Sequence, residues 1–225
     1  MPIRIEALCL YPTIIHRVKI SALIPYNEEL AEIAIRLAIA GDITKGGSKE
    51  AHHVAFQTKS ILFERPEKCF TQLKHYHQLA LREYLQTDTV YRKRFKNGAL
   101  APHETVCWAY VQNNKQVSSY VHHHGGFGVT ALYYARAPKD LPGNQGSLSF
   151  VDPRGPGITS LLGSPLPSEA SFLKPEEGTM LLFPSWLQHR PIPMPDAEGW
   201  RVAFGIDANF KFRLNTRKSR QEKVP

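Results

Sequence analysis

The chain has 225 residues, of which 42% are apolar and 21% are charged. These proportions exclude a disordered chain and fit one large domain. No apolar run approaches the roughly 18 residues that a membrane-spanning helix needs, and the first residues lack the apolar segment of a signal peptide. The formal net charge is +8, but the last fifteen residues hold six basic residues and one acidic residue, so they carry +5 and the rest only +3. A nucleic-acid partner is therefore not expected.

The three cysteines, Cys9, Cys69 and Cys107, are scattered along the chain, and no two have the CxxC spacing. This pattern argues against a disulfide framework and against a thiolate zinc site, and it predicts a cytoplasmic protein. Nothing in the sequence specifies an oligomeric state. Histidine is the residue type that stands out, because there are ten, three of them consecutive at positions 122–124.

The first half of the chain predicts helices. Asn27 is the predicted cap of a helix whose apolar residues recur at three- and four-residue spacing as far as Gly41. A second helix is predicted from Pro66 to Leu85 on the same spacing. Short strands are predicted at residues 3–11 and 54–63.

From Glu104 onward the sequence predicts strands, because short alternating runs are separated by Gly, Pro and Asn. The predicted strands are residues 105–112, 117–122, 129–135, 147–151, 179–183 and 201–210. Seven of the seventeen prolines fall between 138 and 175, which predicts a long loop at 138–177 that covers a site. The expected fold class is mainly β with supporting helices, a sandwich or barrel in one domain spanning 1–225. Its parts are a helix-rich support with edge strands at 1–103, a β core at 104–210 and a basic tail at 211–225.

The histidines suggest a metal site. Alternate residues of a strand point to one face, so the rings of His122 and His124 can converge on one ion while His123 points away. His189 follows another predicted strand, 65 residues after His124. Histidine is the commonest metal ligand among side chains. A His-x-His pair by itself, however, is more often a surface or hydrogen-bonded pair than a ligand pair.

An arginine opens the last predicted strand. Arg201 shares its strand face with the small residues Ala203 and Gly205, which leaves room for a ligand beside it. A guanidinium in this setting can bind a carboxylate with two parallel hydrogen bonds. The alternative interpretation is a surface arginine paired with Asp207 or Glu198.

These features follow one another in a fixed order: His-x-His, a glycine-rich turn, a strand ending in Tyr133-Tyr134, a histidine after Phe-Pro-Ser-Trp-Leu-Gln, and an arginine twelve residues later. Residues 122–134, 147–154 and 178–201 carry this order. It resembles the iron(II)- and 2-oxoglutarate-dependent oxygenase superfamily, and within it the prolyl-hydroxylase-like bacterial branch. The resemblance covers roughly residues 106–210 and implies a double-stranded β-helix, the jelly-roll or cupin-like fold.

The resemblance also implies roles for single residues. His122 and His189 match the two histidine ligands of the metal. Arg201 matches the basic residue that binds the C5 carboxylate of 2-oxoglutarate, and Tyr134 matches a tyrosine that hydrogen bonds to the same group. His124 departs from the family, because most members have a carboxylate there, and the three ligands would then all be neutral histidines. Asp152 is the alternative carboxylate ligand, although Asp-Pro more often forms a turn.

The activity implied by the resemblance is that of a dioxygenase with Fe(II), 2-oxoglutarate and O2 as cofactors. It would hydroxylate a C–H bond of an amino acid, a peptide or a small metabolite and form succinate and CO2. Halogenation, desaturation and cyclisation are variants that the sequence leaves open. The second hypothesis is a zinc hydrolase or lyase, because three histidines also suit zinc with one open position. Such an enzyme does not need the carboxylate clamp of Arg201 and Tyr134. The third is a non-catalytic binder that uses the tail at 211–225.

Overall fold

The computed structural model of the protein describes residues 12–41, 55–87, 92, 100–116, 120–125, 128–153 and 169–210. The strands, in chain order, are β1 (His16–Lys19), β2 (Phe56–Gln57), β3 (His103–Gln112), β4 (Gly128–Arg136), β5 (Leu148–Val151), β6 (Glu169–Leu173), β7 (Thr179–Pro184), β8 (His189–Pro191) and β9 (Arg201–Phe210). The helices are α1 (Asn27–Ile39) and α2 (Lys68–Leu85), with 3-10 helices at Ser21–Tyr26 and Leu62–Glu64. Within the described ranges, no helix combines the length and apolarity that crossing a membrane requires.

The strands form two antiparallel sheets. The large sheet has the order β1-β7-β4-β9-β3-β2, and the small sheet has the order β6-β5-β8. Strands β1 and β2 come from the first part of the chain and form the two edges of the large sheet, so this part is built into the same sheet as the core. The predicted fold class, a jelly-roll core with supporting helices, is confirmed.

Strand alternation gives the large sheet two different faces. The outer face packs on α1 and α2 in one apolar core, to which the three central strands contribute Cys107, Ala109, Val111, Val129, Ala131, Tyr133, Val202, Phe204 and Ile206. The inner face meets the small sheet in a second cluster, where the Phe150 and Phe183 rings lie 5.1 Å apart. The helices therefore support the sheet from behind and leave its inner face for a site.

The predicted elements agree with the structure where the periodicity is uninterrupted. Strands β3, β4, β5, β7 and β9 and both helices lie within two residues of their predicted bounds. The strand predicted at 54–63 is largely wrong, because Phe56–Gln57 alone pair as a strand there and a 3-10 helix follows at Leu62–Glu64. The strand predicted at 117–122 is wrong in its described part, where His122 forms an isolated bridge. The prediction for residues 3–11 lies outside the described residues.

Two further corrections have tertiary causes. Asn27 is not the helix cap, because the 3-10 helix runs into α1 and Tyr26 holds the cap position. Its side chain instead accepts a hydrogen bond from the buried Tyr133 hydroxyl at 2.6 Å. Strand β6 lies inside the region predicted as a loop at 138–177, where pairing with β5 stabilises it. Residues 154–168 of that region lie outside the described residues.

One histidine is buried far from the inner face. His77 on α2 is fully buried beside Phe63, and neither ring nitrogen has a hydrogen-bond partner among the described residues. Burial lowers the pKa of His77 to about 3, because desolvation disfavours the charged ring. The unfolded chain binds this proton near pH 6.5. The contribution of His77 to stability is therefore full above pH 6.5 and is lost as the pH falls towards 3.

We expect His77→Leu to remove this pH-dependent loss. Between pH 7 and pH 5, the free energy of unfolding should fall less in the variant than in the wild type, by on the order of 2 kcal/mol. Urea unfolding at the two pH values measures the difference. His75→Leu, on the exposed side of the same helix, is the matched control. The same pH dependence in His77→Leu and wild type would contradict the expectation.

Candidate active site

The candidate site is a cavity of about 530 Å³ between the two sheets. Its floor is the inner face of β3, β4 and β9, where cross-strand neighbours stand in rows across the sheet. The floor residues alternate along each strand and are Val106, Trp108, Tyr110, Thr130, Leu132, Tyr134, Arg201, Ala203, Gly205 and Asp207. The strand face that the sequence predicted for Arg201 is therefore the face that lines the cavity.

Three histidines line the same cavity. Ring nitrogens of His122, His124 and His189 lie within 4.8 Å of one another. Backbone hydrogen bonds hold the two segments together: His122 and His189 exchange bonds of 2.9 and 3.0 Å, and the His124 N–H donates to the Ser185 carbonyl at 2.8 Å. The structure thus brings together the three histidines that the sequence singled out. An isolated bridge, rather than the predicted strand end, produces the grouping.

The hydrogen bonds of the three rings define which nitrogen is available. In each ring, Nδ1 faces an oxygen acceptor, so Nδ1 carries the proton and Nε2 keeps its lone pair. The acceptors are the Tyr120 carbonyl for His122 (3.1 Å), the Leu187 carbonyl for His189 (2.8 Å) and the Asp207 carboxylate for His124 (3.0 Å to each oxygen). This is the tautomer that a metal ligand needs.

Burial adds to this preparation. Desolvation lowers the pKa of His122, and it lowers the pKa of His189 to about 3. Both rings are therefore neutral near pH 7, with one proton each. A neutral imidazole is the form that binds a metal ion.

Sequence reasoning missed the part that Asp207 plays in the site. Its carboxylate accepts from the His124 ring and from the Thr130 hydroxyl at 2.7 Å. The single proton of Thr130 is used in this bond, so the Ser185 hydroxyl donates to Thr130 at 3.1 Å. The alternation of Arg201, Ala203 and Gly205 continues to position 207, and extending it by one step would have placed Asp207 on the cavity side.

Arg201 is buried, with 2% of its surface exposed, so its interpretation as a surface arginine is wrong. Its guanidinium donates to the Gly146 carbonyl, to the Ile192 carbonyl at 3.4 Å and to the side chain of Gln112, its cross-strand neighbour. These bonds leave at most two of its five N–H donors for a ligand. No carboxylate pairs with it among the described residues, although buried charges are normally paired. Burial also lowers the pKa of Arg201, because desolvation disfavours the charged guanidinium.

Two tyrosines stand next to this guanidinium. Tyr134 and Tyr110 are both paired with Ala203 on β9, and both line the cavity. Burial raises the pKa of each to about 12, so each keeps its proton as a hydrogen-bond donor. The Tyr110 hydroxyl is buried without a partner among the described residues. An unused donor beside an unpaired cation suits an anionic ligand.

Gly205 does not leave room for a ligand. The Trp108 ring lies across Gly205, and a Cβ atom added at this glycine would overlap the indole. The indole in turn contacts the His124 ring, with centroids 5.4 Å apart. The space that the small residue at 205 creates is therefore filled by a side chain that helps to hold His124.

Asp152 lies just past the end of β5 and is partly buried. Among the described residues, the group of side chains that could hold a metal ion contains His122, His124 and His189 and does not contain Asp152. The structure thus favours His124 over Asp152 as the neighbour of His122 and His189. The tail at 211–225, on which the binder hypothesis depends, lies outside the described residues.

Residues 106–207 match the profile of a family described as "Putative 2OG-Fe(II) oxygenase". This part of the chain is similar to that family. This family uses iron(II), 2-oxoglutarate and dioxygen, and its members are oxidoreductases. The predicted resemblance is confirmed, and with it the enzyme class and the set of cofactors. No curated protein sequence matches the chain.

Solved structures of oxygenases share the fold of this protein. A prolyl-4-hydroxylase from Pseudomonas putida is 14% identical, with a TM-score of 0.55, 87% of this chain covered and 92% of that chain. A prolyl hydroxylase from Trichoplax adhaerens, in complex with a peptide fragment of hypoxia inducible factor, is 14% identical, with a TM-score of 0.54 and coverages of 87% and 83%. HygX from Streptomyces hygroscopicus, with nickel and 2-oxoglutarate bound, is 15% identical, with a TM-score of 0.53 and coverages of 89% and 83%.

The residues of the cavity fit the groups that the family uses. Three imidazole nitrogens suit iron(II) among other first-row metals. The buried Arg201 cation and the Tyr110 donor suit one carboxylate of 2-oxoglutarate.

Proposed function

We propose that the protein is a mononuclear 2-oxoglutarate-dependent dioxygenase in which His122, His124 and His189 hold Fe(II). The observation that carries the proposal is the hydrogen bonding of the three imidazole rings. Every Nδ1 is bound to an acceptor, which leaves the Nε2 lone pair of each ring available to a metal, and the three histidines line the cavity that also contains the buried Arg201. The match of residues 106–207 to the oxygenase family profile supports it.

Arg201 and Tyr134 are the proposed contacts of the C5 carboxylate of 2-oxoglutarate. Gln112 and the Gly146 carbonyl hold the guanidinium in place, so its remaining donors are already oriented when the cosubstrate arrives. Tyr110 is a further candidate contact, since its hydroxyl lacks a partner among the described residues. The apolar floor residue Leu132 and the small Ala203 leave the carbon chain of a dicarboxylate in an apolar setting.

The proposed reaction is the hydroxylation of a substrate C–H bond. Dioxygen, 2-oxoglutarate and the substrate are converted to succinate, CO2 and an alcohol, and the bound iron supplies the redox chemistry. The protein positions the reactants and excludes water. The proposed substrate is an amino acid, a peptide or a small metabolite. A peptide substrate is supported by the neighbouring prolyl hydroxylase whose structure contains a peptide fragment, and the aromatic side chains of Phe56 and Tyr120 line the cavity outside its floor.

The zinc hypothesis has less support. A hydrolase with three histidine ligands has no need of a buried cation and an unused tyrosine hydroxyl near the metal. The oxygenase family match covers all three histidines and Arg201. We also propose that the chain is a single catalytic domain and that it is cytoplasmic. The cytoplasmic location is supported by the two described cysteines, Cys69 and Cys107, which are free and buried.

The test is an anaerobic titration of the purified protein. With Fe(II) in place, 2-oxoglutarate should produce a weak visible charge-transfer band, and admission of air should release succinate. Zinc in place of iron should give neither signal. A protein that binds Fe(II) but shows no band and forms no succinate with candidate substrates would refute the proposed function.

A further inference from the structure

We propose that Asp207 is a positioning residue that acts on the metal through the His124 ring, so that an imidazole bound to a carboxylate stands where the superfamily resemblance implies a carboxylate ligand. This inference rests on the proposed function. It concerns the pair His124 and Asp207, and it assigns to the pair the negative charge that three neutral histidine ligands lack.

The three candidate ligands differ in what supports them. The rings of His122 and His189 donate to backbone carbonyls, whereas the His124 ring donates to both oxygens of a carboxylate. The histidine that stands where the superfamily resemblance implies a carboxylate is thus the one with an anionic partner. A carboxylate bound to Nδ1–H strengthens Nε2 as an electron donor to a metal. It also returns part of the missing negative charge to the site.

The carboxylate is held in place from several directions. Asp207 lies on the central strand β9, paired with Val106 on β3 and Thr130 on β4. Its Oδ1 accepts from the Thr130 hydroxyl at 2.7 Å, and 9% of the residue is exposed. In the described part of the chain, no lysine or arginine forms an ion pair with it. Among the described residues, His124 is therefore the basic side chain that pairs with the Asp207 carboxylate.

The ring is held as firmly as the carboxylate. The Trp108 indole packs on one side of His124, with centroids 5.4 Å apart, and it can do so because residue 205 is a glycine. The backbone N–H of His124 donates to Ser185, and the Ser185 hydroxyl lies in the chain that ends on Asp207. Backbone and side chain of His124 are thus fixed by the same small network, which is the geometry expected for a supported ligand.

A double-mutant cycle separates this role from a structural one. The variants are Asp207→Asn, His124→Asp and the double variant, and anaerobic equilibrium dialysis of the metal-free proteins with Fe(II) gives the dissociation constant. Asp207→Asn should weaken Fe(II) binding about 10- to 100-fold in the wild-type background. In the His124→Asp background the same change should have little effect or should tighten binding, because two neighbouring carboxylates no longer repel each other.

Controls identify the cause of any loss. Asp196→Asn removes a carboxylate that is exposed and bonded to Gln145, and it should leave Fe(II) affinity at the wild-type value. The unfolding midpoints of the metal-free variants report structural damage. Equal losses of affinity in both backgrounds, or no loss in the wild-type background, would overturn the inference. If the wild type binds Fe(II), His189→Ala does not, and Asp207→Asn binds it with wild-type affinity, the inference fails while the proposed function stands. If wild type binds no Fe(II), both fail.

Discussion

Replacing His189 by alanine is expected to abolish Fe(II) binding and, with it, succinate formation. The substitution removes one of the three ring nitrogens that lie within 4.8 Å of one another. Loss of a hydrogen-bond partner behind a ligand costs roughly 10- to 100-fold in metal affinity, and loss of the ligand itself should cost more. The backbone bonds between His189 and His122 do not involve the side chain, so the bridge between the two segments should survive.

Metal content after anaerobic dialysis measures this effect. His123→Ala is the matched control, because His123 is a neighbouring histidine that is absent from the ligand cluster. It should retain one equivalent of Fe(II). If His189→Ala also retained a full equivalent with wild-type affinity, the assignment of the three ligands would have to be abandoned.

Replacing Arg201 by methionine is expected to weaken the binding of 2-oxoglutarate about 10- to 100-fold for each charge-assisted hydrogen bond lost, since such bonds contribute about 1.5–3 kcal/mol. Fe(II) affinity without the cosubstrate should change little, because Arg201 lies outside the histidine cluster. The two effects together separate the cosubstrate site from the metal site. Titration of the visible band at increasing 2-oxoglutarate gives the dissociation constant.

A ligand that lacks the C5 carboxylate provides the control for this experiment. Wild type should bind 2-oxoglutarate far more tightly than 2-oxovalerate, which has the same chain length and keeps the C1 carboxylate and the keto group. In Arg201→Met this preference should disappear. Conversely, a variant that keeps the wild-type preference would show that Arg201 does not contact the C5 carboxylate, whatever happens to its overall affinity.

The sequence predicted the parts of the fold that depend on local periodicity. Strand β9 has its predicted bounds, and its alternation placed Arg201 on the correct face. The elements that it missed, β1, β6 and β8, are three to five residues long and are stabilised by pairing with partners distant in the chain. A periodicity over five residues or fewer is a weak signal, and β5, which is equally short, is the exception that was predicted. The strand predicted at 54–63 is the opposite error. Apolar residues there were interpreted as one strand, whereas Phe56–Gln57 alone pair as a strand.

The same distinction applies to the site. Spacing and the family resemblance together grouped His122, His124 and His189. The strand end on which the convergence of His122 and His124 was predicted is an isolated bridge in the structure. The roles of Asp207 and Gln112 could not be predicted, since each depends on which strand lies next to which: Gln112 faces Arg201 across β3 and β9, and Asp207 faces Thr130 across β4 and β9. Neither pairing is encoded in the local pattern.

The contact between Trp108 and Gly205 constrains how this pocket can diversify. The indole occupies the volume that any side chain at position 205 would need, so the two positions cannot vary independently. A larger residue at 205 becomes acceptable only after residue 108 becomes smaller, and such an exchange would also remove the packing against His124. Libraries aimed at new substrates should therefore randomise 108 and 205 as a single unit, with metal affinity as the selection that accompanies turnover.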